Sequence, residues 1–64
     1  MRKFGEVVLE MGFASEAQIA EALERQRQDR RVLGDILIDM GVLTARQRDQ
    51  IVAEQMAELN RLSA

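Results

Sequence analysis

The sequence predicts an all-α fold, two duplicated helical hairpins forming a compact four-helix domain, and three observations lead to it. The segment "KFGEVVLEMG" at residues 3–12 returns almost unchanged as "VLGDILIDMG" at residues 32–41. Apolar residues recur at helical spacing within both segments and beyond them, with no proline anywhere to interrupt them. Each segment ends in a glycine followed closely by a helix-start signal, so the sequence marks where one helix stops and the next begins.

Displacing the chain against itself by 29 positions aligns Lys3–Gln26 with Val32–Gln55 without a gap. Gly5/Gly34, Met11/Met40, Gly12/Gly41, Gln18/Gln47 and Gln26/Gln55 are identical. Glu6/Asp35, Val7/Ile36, Val8/Leu37, Leu9/Ile38, Glu10/Asp39 and Ser15/Thr44 keep the chemistry where the letters change. Similarity at a fixed period is the mark of a duplicated unit. The chain therefore divides into a first motif at 3–26, the spacer "RQDRR" at 27–31, a second motif at 32–55 and a helical extension at 56–62, all within one domain spanning 1–64.

The first helix carries Phe4, Val7, Val8 and Met11 at i, i+3, i+4 and i+7, one apolar stripe. It stops at Gly12, where glycine enters the left-handed conformation without steric cost. Ser15-x-x-Gln18 has the spacing of a capping box and opens a second helix through Ile19, Ala22, Leu23 and Gln26. The second copy repeats this order. Leu33, Ile36, Leu37 and Met40 form its stripe, Gly41 its stop and Thr44-x-x-Gln47 its capping box, and the last helix runs through Ile51, Val52 and Gln55 towards Leu59 and Leu62. With short loops throughout, neighbouring helices are expected to be antiparallel and the whole to have pseudo-twofold symmetry.

Composition bounds the function. A chain of 64 residues has a thin core, and with neither cysteine nor histidine it lacks the disulfide and metal staples that small domains use. Partner contacts are the remaining support. Nine basic against 11 acidic residues leave a net charge of -2, which argues against DNA or RNA as a partner. The longest apolar run, "VVL", falls far short of the roughly 20 residues a membrane span requires, and Glu6 breaks the opening "MRKFGEVV" as a signal peptide. A soluble, cytoplasmic protein without membrane insertion is expected. No side chain titrates near neutrality, and the hydroxyls of Ser15, Thr44 and Ser63 are two caps and a tail residue, so no enzyme, catalytic residue or cofactor is expected. The acids Glu6 and Glu10, and Asp35 and Asp39, lie four apart on helix faces and solvate the outer side; without histidine or an oxygen-rich loop they form no metal site.

Four positions call for more than packing. Gly5 and Gly34 fall within first turns, where glycine costs about 1 kcal/mol relative to alanine. They imply either a close helix crossing or a ligand lying against bare backbone. Gln26 and Gln55 end their stripes in register, as exposed helix ends or as a paired hydrogen-bonding site. Arg27, Arg30 and Arg31 place positive charge at the spacer, either as a solvated turn or as a contribution to binding. In the extension, Met56, Leu59 and Leu62 are spaced three apart with polar residues between them and have no counterpart in the first copy. Such a ridge predicts a partner interface, either a homodimer or a contact with a separately encoded protein.

A basic residue, a large apolar one, Gly, two variable residues, two aliphatics, two variable residues, a second Gly and then a helix closing on Gln at the twenty-fourth position form a spacing that resembles the MshEN domain. That family, the N-terminal module of type II secretion and type IV pilus assembly ATPases, carries two 24-residue motifs joined by five residues and binds cyclic di-GMP. The resemblance covers residues 3–55. It implies a bacterial signalling module with ligand positions at Lys3, Phe4, Gly5, Gly12 and Gln26 in the first motif and Leu33, Gly34, Gly41 and Gln55 in the second. The family opens each motif with arginine, whereas this chain has Lys3 and Val32. Lysine offers a point charge and valine none, so weakened binding is expected. Arg31, one position before Val32, is the candidate substitute. Arg48 stands where the family has leucine, and Ala14 where it has a larger aliphatic residue. No GxxxxGK[ST] phosphate loop occurs, so the ATPase itself is not encoded here. The function expected is non-enzymatic binding of cyclic di-GMP across the tandem motifs; the alternative is a degenerate module of the same fold that docks proteins.

Overall fold

Each copy folds into a short helix, a glycine turn and a longer helix: α1 (Phe4–Glu10) and α2 (Glu16–Gln28), then α3 (Leu33–Asp39) and α4 (Ala45–Ser63). The structure, a computed structural model, describes residues 2–63, the last of them without its side chain. The two terminal residues of the domain expected over 1–64, and the Ser63 hydroxyl, lie outside the described residues. Among those described there is no strand, and no helix is long and apolar enough to cross a membrane.

The ends of the helices follow from local chemistry. Gly12 at φ +73° and Gly41 at φ +76° take the left-handed conformation. Their amides donate to Leu9 and Ile38, and the following amides of Phe13 and Val42 donate back to Val8 and Leu37 at 3.1 and 3.0 Å. This pair of bonds is the Schellman motif, formed twice. Both capping boxes also form. Ser15 Oγ accepts from the Gln18 amide at 3.2 Å while Gln18 Oε1 accepts from the Ser15 amide at 2.9 Å. Thr44 Oγ1 and Gln47 Oε1 repeat this at 3.1 and 2.9 Å. The first two residues of the spacer continue α2, so the connection between copies is shorter than the sequence implies.

Val7, Val8, Ile19 and Ala22 from the first copy meet Ile36, Leu37, Leu43 and Ile51 from the second in the core. Val7/Ile36, Val8/Leu37 and Ala22/Ile51 are equivalent positions of the repeat, so the core shares the pseudo-symmetry of the sequence. The principal helix pairings cross between copies: α1 lies on α4, α2 on α3, and α1 also meets α3. The reason is length. α1 and α3 have seven residues each, about two turns, and neither covers the apolar face of the longer helix that follows it. Each copy therefore completes its core with the other. The distal stripe residues Met11 and Met40 reach the edge of this core, Met11 exposed and Met40 half-buried.

Candidate functional site

The two short helices begin side by side, and their first turns form the floor of a groove walled by α2 and α4. One half of the groove, a hollow of about 450 Å³, is lined by Lys3, Phe4, Gly5, Glu6, Leu9, Ile19, Leu23, Gln26 and Leu33. The other half, about 270 Å³, is lined by Phe4, Val32, Leu33, Gly34, Arg48 and Val52. Every residue of the second half is the repeat equivalent of one in the first: Val32 of Lys3, Leu33 of Phe4, Gly34 of Gly5, Arg48 of Ile19, Val52 of Leu23 and Phe4 of Leu33. The protein has built one hollow twice, and the halves meet at Phe4 and Leu33.

The glycines on the floor differ in what they require. A Cβ on Gly34 would stand 3.1 Å from Phe4 Cζ and 3.2 Å from Arg48 Cγ, closer than side chains ordinarily pack. A Cβ on Gly5 would meet Ile19 Cγ2 at 3.4 Å and Leu33 Cδ2 at 3.6 Å, an ordinary contact. Close packing thus accounts for Gly34. At Gly5 the missing side chain leaves open groove between Ile19 and Leu33.

The polar groups around the groove repeat as well. Gln26 Nε2 donates to the carbonyl of Arg31 at 3.3 Å, and Gln55 Nε2 to the carbonyl of Arg2 at 3.5 Å. Each glutamine donates to the backbone entering the short helix of the opposite copy. Gln26 also lines the first hollow; Gln55 does not line the second.

Arg2 and Arg31 stand at equivalent places just before the motifs. Arg31 donates from its amide and from Nε to the two oxygens of Asp29 at 3.2 and 2.8 Å, and it also pairs with Asp39. Arg2 donates from its amide and from Nε to the two oxygens of Glu58 at 3.3 and 3.1 Å, pairs with Glu10, and reaches Glu54 at 3.3 Å. The hydrogen bond from Arg31 holds the Asp29 carboxyl below its ordinary range, and that from Arg2 does the same for Glu58. Both guanidiniums are raised in turn by the same bonds.

Of the positions singled out in the sequence, Lys3, Phe4, Gly5, Gln26, Leu33 and Gly34 are brought together in the groove. Gly12 and Gly41 lie at the other ends of α1 and α3, where they perform a capping role. Arg31 is held by two carboxylates and lines neither half. Met56 and Leu62 of the predicted ridge are 54% and 67% exposed, and Leu59 between them is 44% exposed. Sequence reasoning overlooked Arg2 and Glu58. Extending the same alignment beyond the motifs would have found them, because Arg2 falls on Arg31 and Glu58 on Asp29. Leu23 and Val52, through which the second helices were traced, are exposed walls of the groove. No family model matches the chain, and neither a curated protein nor a solved structure matches it.

Proposed function

We propose that the chain is a non-enzymatic bacterial regulatory module that binds cyclic di-GMP across its two copies. The observation that carries this reading is the groove built twice from equivalent residues around Phe4 and Leu33. A cyclic dinucleotide has two purines and two phosphates in near-twofold arrangement, so a duplicated groove offers each half of the ligand a surface at equivalent positions of the repeat. Phe4 and Leu33 supply apolar area for the flat purines, Lys3 a positive charge and Gln26 polar atoms for a base edge. The first hollow falls within the roughly 300–1,000 Å³ of ordinary small-molecule sites and the second slightly below it. The MshEN-like spacing of the motifs supports the same ligand, and Val32 in place of an opening arginine supports weaker binding.

Titration of the whole chain with cyclic di-GMP, followed by calorimetry and by amide resonances, tests the reading. One ligand per chain is expected, with GMP binding far more weakly. Gln26→Ala and Gly5→Ala are expected to weaken binding without unfolding the domain, since a Cβ on Gly5 makes only ordinary contacts, and Val32→Arg to strengthen it. Absence of both heat and resonance shifts at millimolar ligand overturns the proposal. The exposure of Met56 and Leu62 favours a second reading, a module of this fold that works through protein contacts on α4, with a second copy of the chain as partner.

A further inference from the structure

Resting on the cyclic di-GMP reading, we propose that Arg48 is the ligand-contacting cation of the second half of the groove, placed to bind a phosphodiester from α4 where the first half uses Lys3 at the start of α1. The repeat exposes the substitution. Lys3 is replaced in the second half by Val32, which brings no charge, while the wall residue Ile19 is replaced by Arg48.

Arg48 performs the packing of Ile19 with its stem alone. Its Cγ and Cδ would stand 3.2 and 3.3 Å from a Cβ on Gly34, as Ile19 Cγ2 would stand 3.4 Å from a Cβ on Gly5. An aliphatic residue would make that contact without a charge to solvate. The arginine therefore adds a cation that the packing does not need, carried past the apolar floor as long side chains do when the stem is buried and the head is wet. The side chain retains 36% of its exposure and lines the hollow.

The guanidinium is oriented without being consumed. Nη1 donates to Asp35 Oδ1 on α3 at 3.0 Å, and Nη2 to Asp49 Oδ1 at the long distance of 3.4 Å. A guanidinium has five N–H donors in a planar fork, so donors remain for the oxygens of a phosphodiester. Asp35 is then a competitor for the same charge. The first half offers an ammonium and an amide, the second a guanidinium, so the ligand meets different chemistry at its two ends.

The test compares cyclic di-GMP affinity for wild-type chain, Arg48→Leu, Arg48→Lys and Asp35→Asn by calorimetry at low and high salt, with thermal unfolding of each. Arg48→Leu keeps the wall and removes the cation, so it is expected to retain the fold, to bind about tenfold more weakly, as loss of one charge-assisted contact implies, and to lose part of the salt dependence. Arg48→Lys is expected to fall between the two, and Asp35→Asn to bind more tightly than wild type. Unchanged affinity and salt dependence in Arg48→Leu overturn this proposal while leaving cyclic di-GMP binding standing. Equal weakening by Arg48→Leu and Asp35→Asn also overturns it, since the ion pair then acts only through structure. Failure of the wild-type chain to bind overturns both.

Discussion

Arg2 and Arg31 show the duplication at its finest scale, because two arginines lie before equivalent helices and use the same atoms on equivalent acids. Each donates its amide and Nε to an acid at the end of one long helix or along the other, Asp29 capping α2 and Glu58 on α4, and a second carboxylate, Glu10 or Asp39, comes from the short helix that the arginine precedes. These are surface pairs, individually weak, but their sign gives a pH dependence. Asp29 and Glu58 are held below their ordinary range in the folded chain, so the unfolded chain binds more protons as acid is added. Their contribution is complete at neutral pH and is lost as pH falls below about 5 and through the lowered folded values. Thermal midpoints are expected to decline in that window, and Asp29→Asn with Glu58→Gln to flatten the decline; an equally steep profile in the double variant would falsify the assignment. The sequence made these acids hard to see because charge pairs leave no apolar period. The arginines were legible through the repeat, but the motif boundaries drawn at Lys3 and Gln26 ended one residue too late and three too early.

Among the elements, the starts and stops of helices were the most legible features, because capping rests on two or three neighbouring residues and needs no tertiary information. Gly12, Gly41 and both capping boxes sit where the sequence placed them. Partnering of helices was less legible. Periodicity identifies an apolar face but not the element that covers it, and short α1 and α3 divert the packing into pairs between copies. The groove was partly legible for the same reason: Leu23 and Val52 continue helical stripes, yet they line the hollows and stay exposed. The capping assignment separates stability from binding. Ser15→Ala and Thr44→Ala are each expected to cost about 1 kcal/mol, and Gly12→Ala at least as much, since its left-handed backbone disfavours a Cβ. Denaturant midpoints measure this, and cyclic di-GMP affinity of the folded Gly12→Ala chain is expected to equal that of wild type. A selective loss of affinity would place Gly12 in the binding site instead.

At the scale of the whole molecule, the symmetry that organises the core and the groove ends at Glu58, and the continuation of α4 has no counterpart in the first copy. A chain of this length packed evenly would have a radius of gyration of about 11 Å, whereas the observed value is 11.8 Å with a longest dimension of 37 Å against 20 and 19 Å across. The elongation matches a helix of 19 residues, about 28 Å long, in a molecule whose other helices are shorter. Along it, beyond the groove, Met56 and Leu62 present apolar side chains that remain exposed. With so small a core, covering that stripe offers stability that the single chain does not supply. A second copy is the economical cover, because a twofold arrangement lets one stripe serve both subunits and adds apolar burial to each. Sedimentation velocity across micromolar concentrations is expected to show reversible dimerisation of the wild-type chain. Met56→Asp with Leu62→Asp is expected to hold it monomeric while its helical circular dichroism persists, since both residues lie outside the core and outside the Arg2–Glu58 pairing. The thermal midpoint of the wild-type chain should rise with concentration and that of the double variant should not. A wild-type chain that stays monomeric at high micromolar concentration rejects the twofold assembly and leaves the stripe to a different protein.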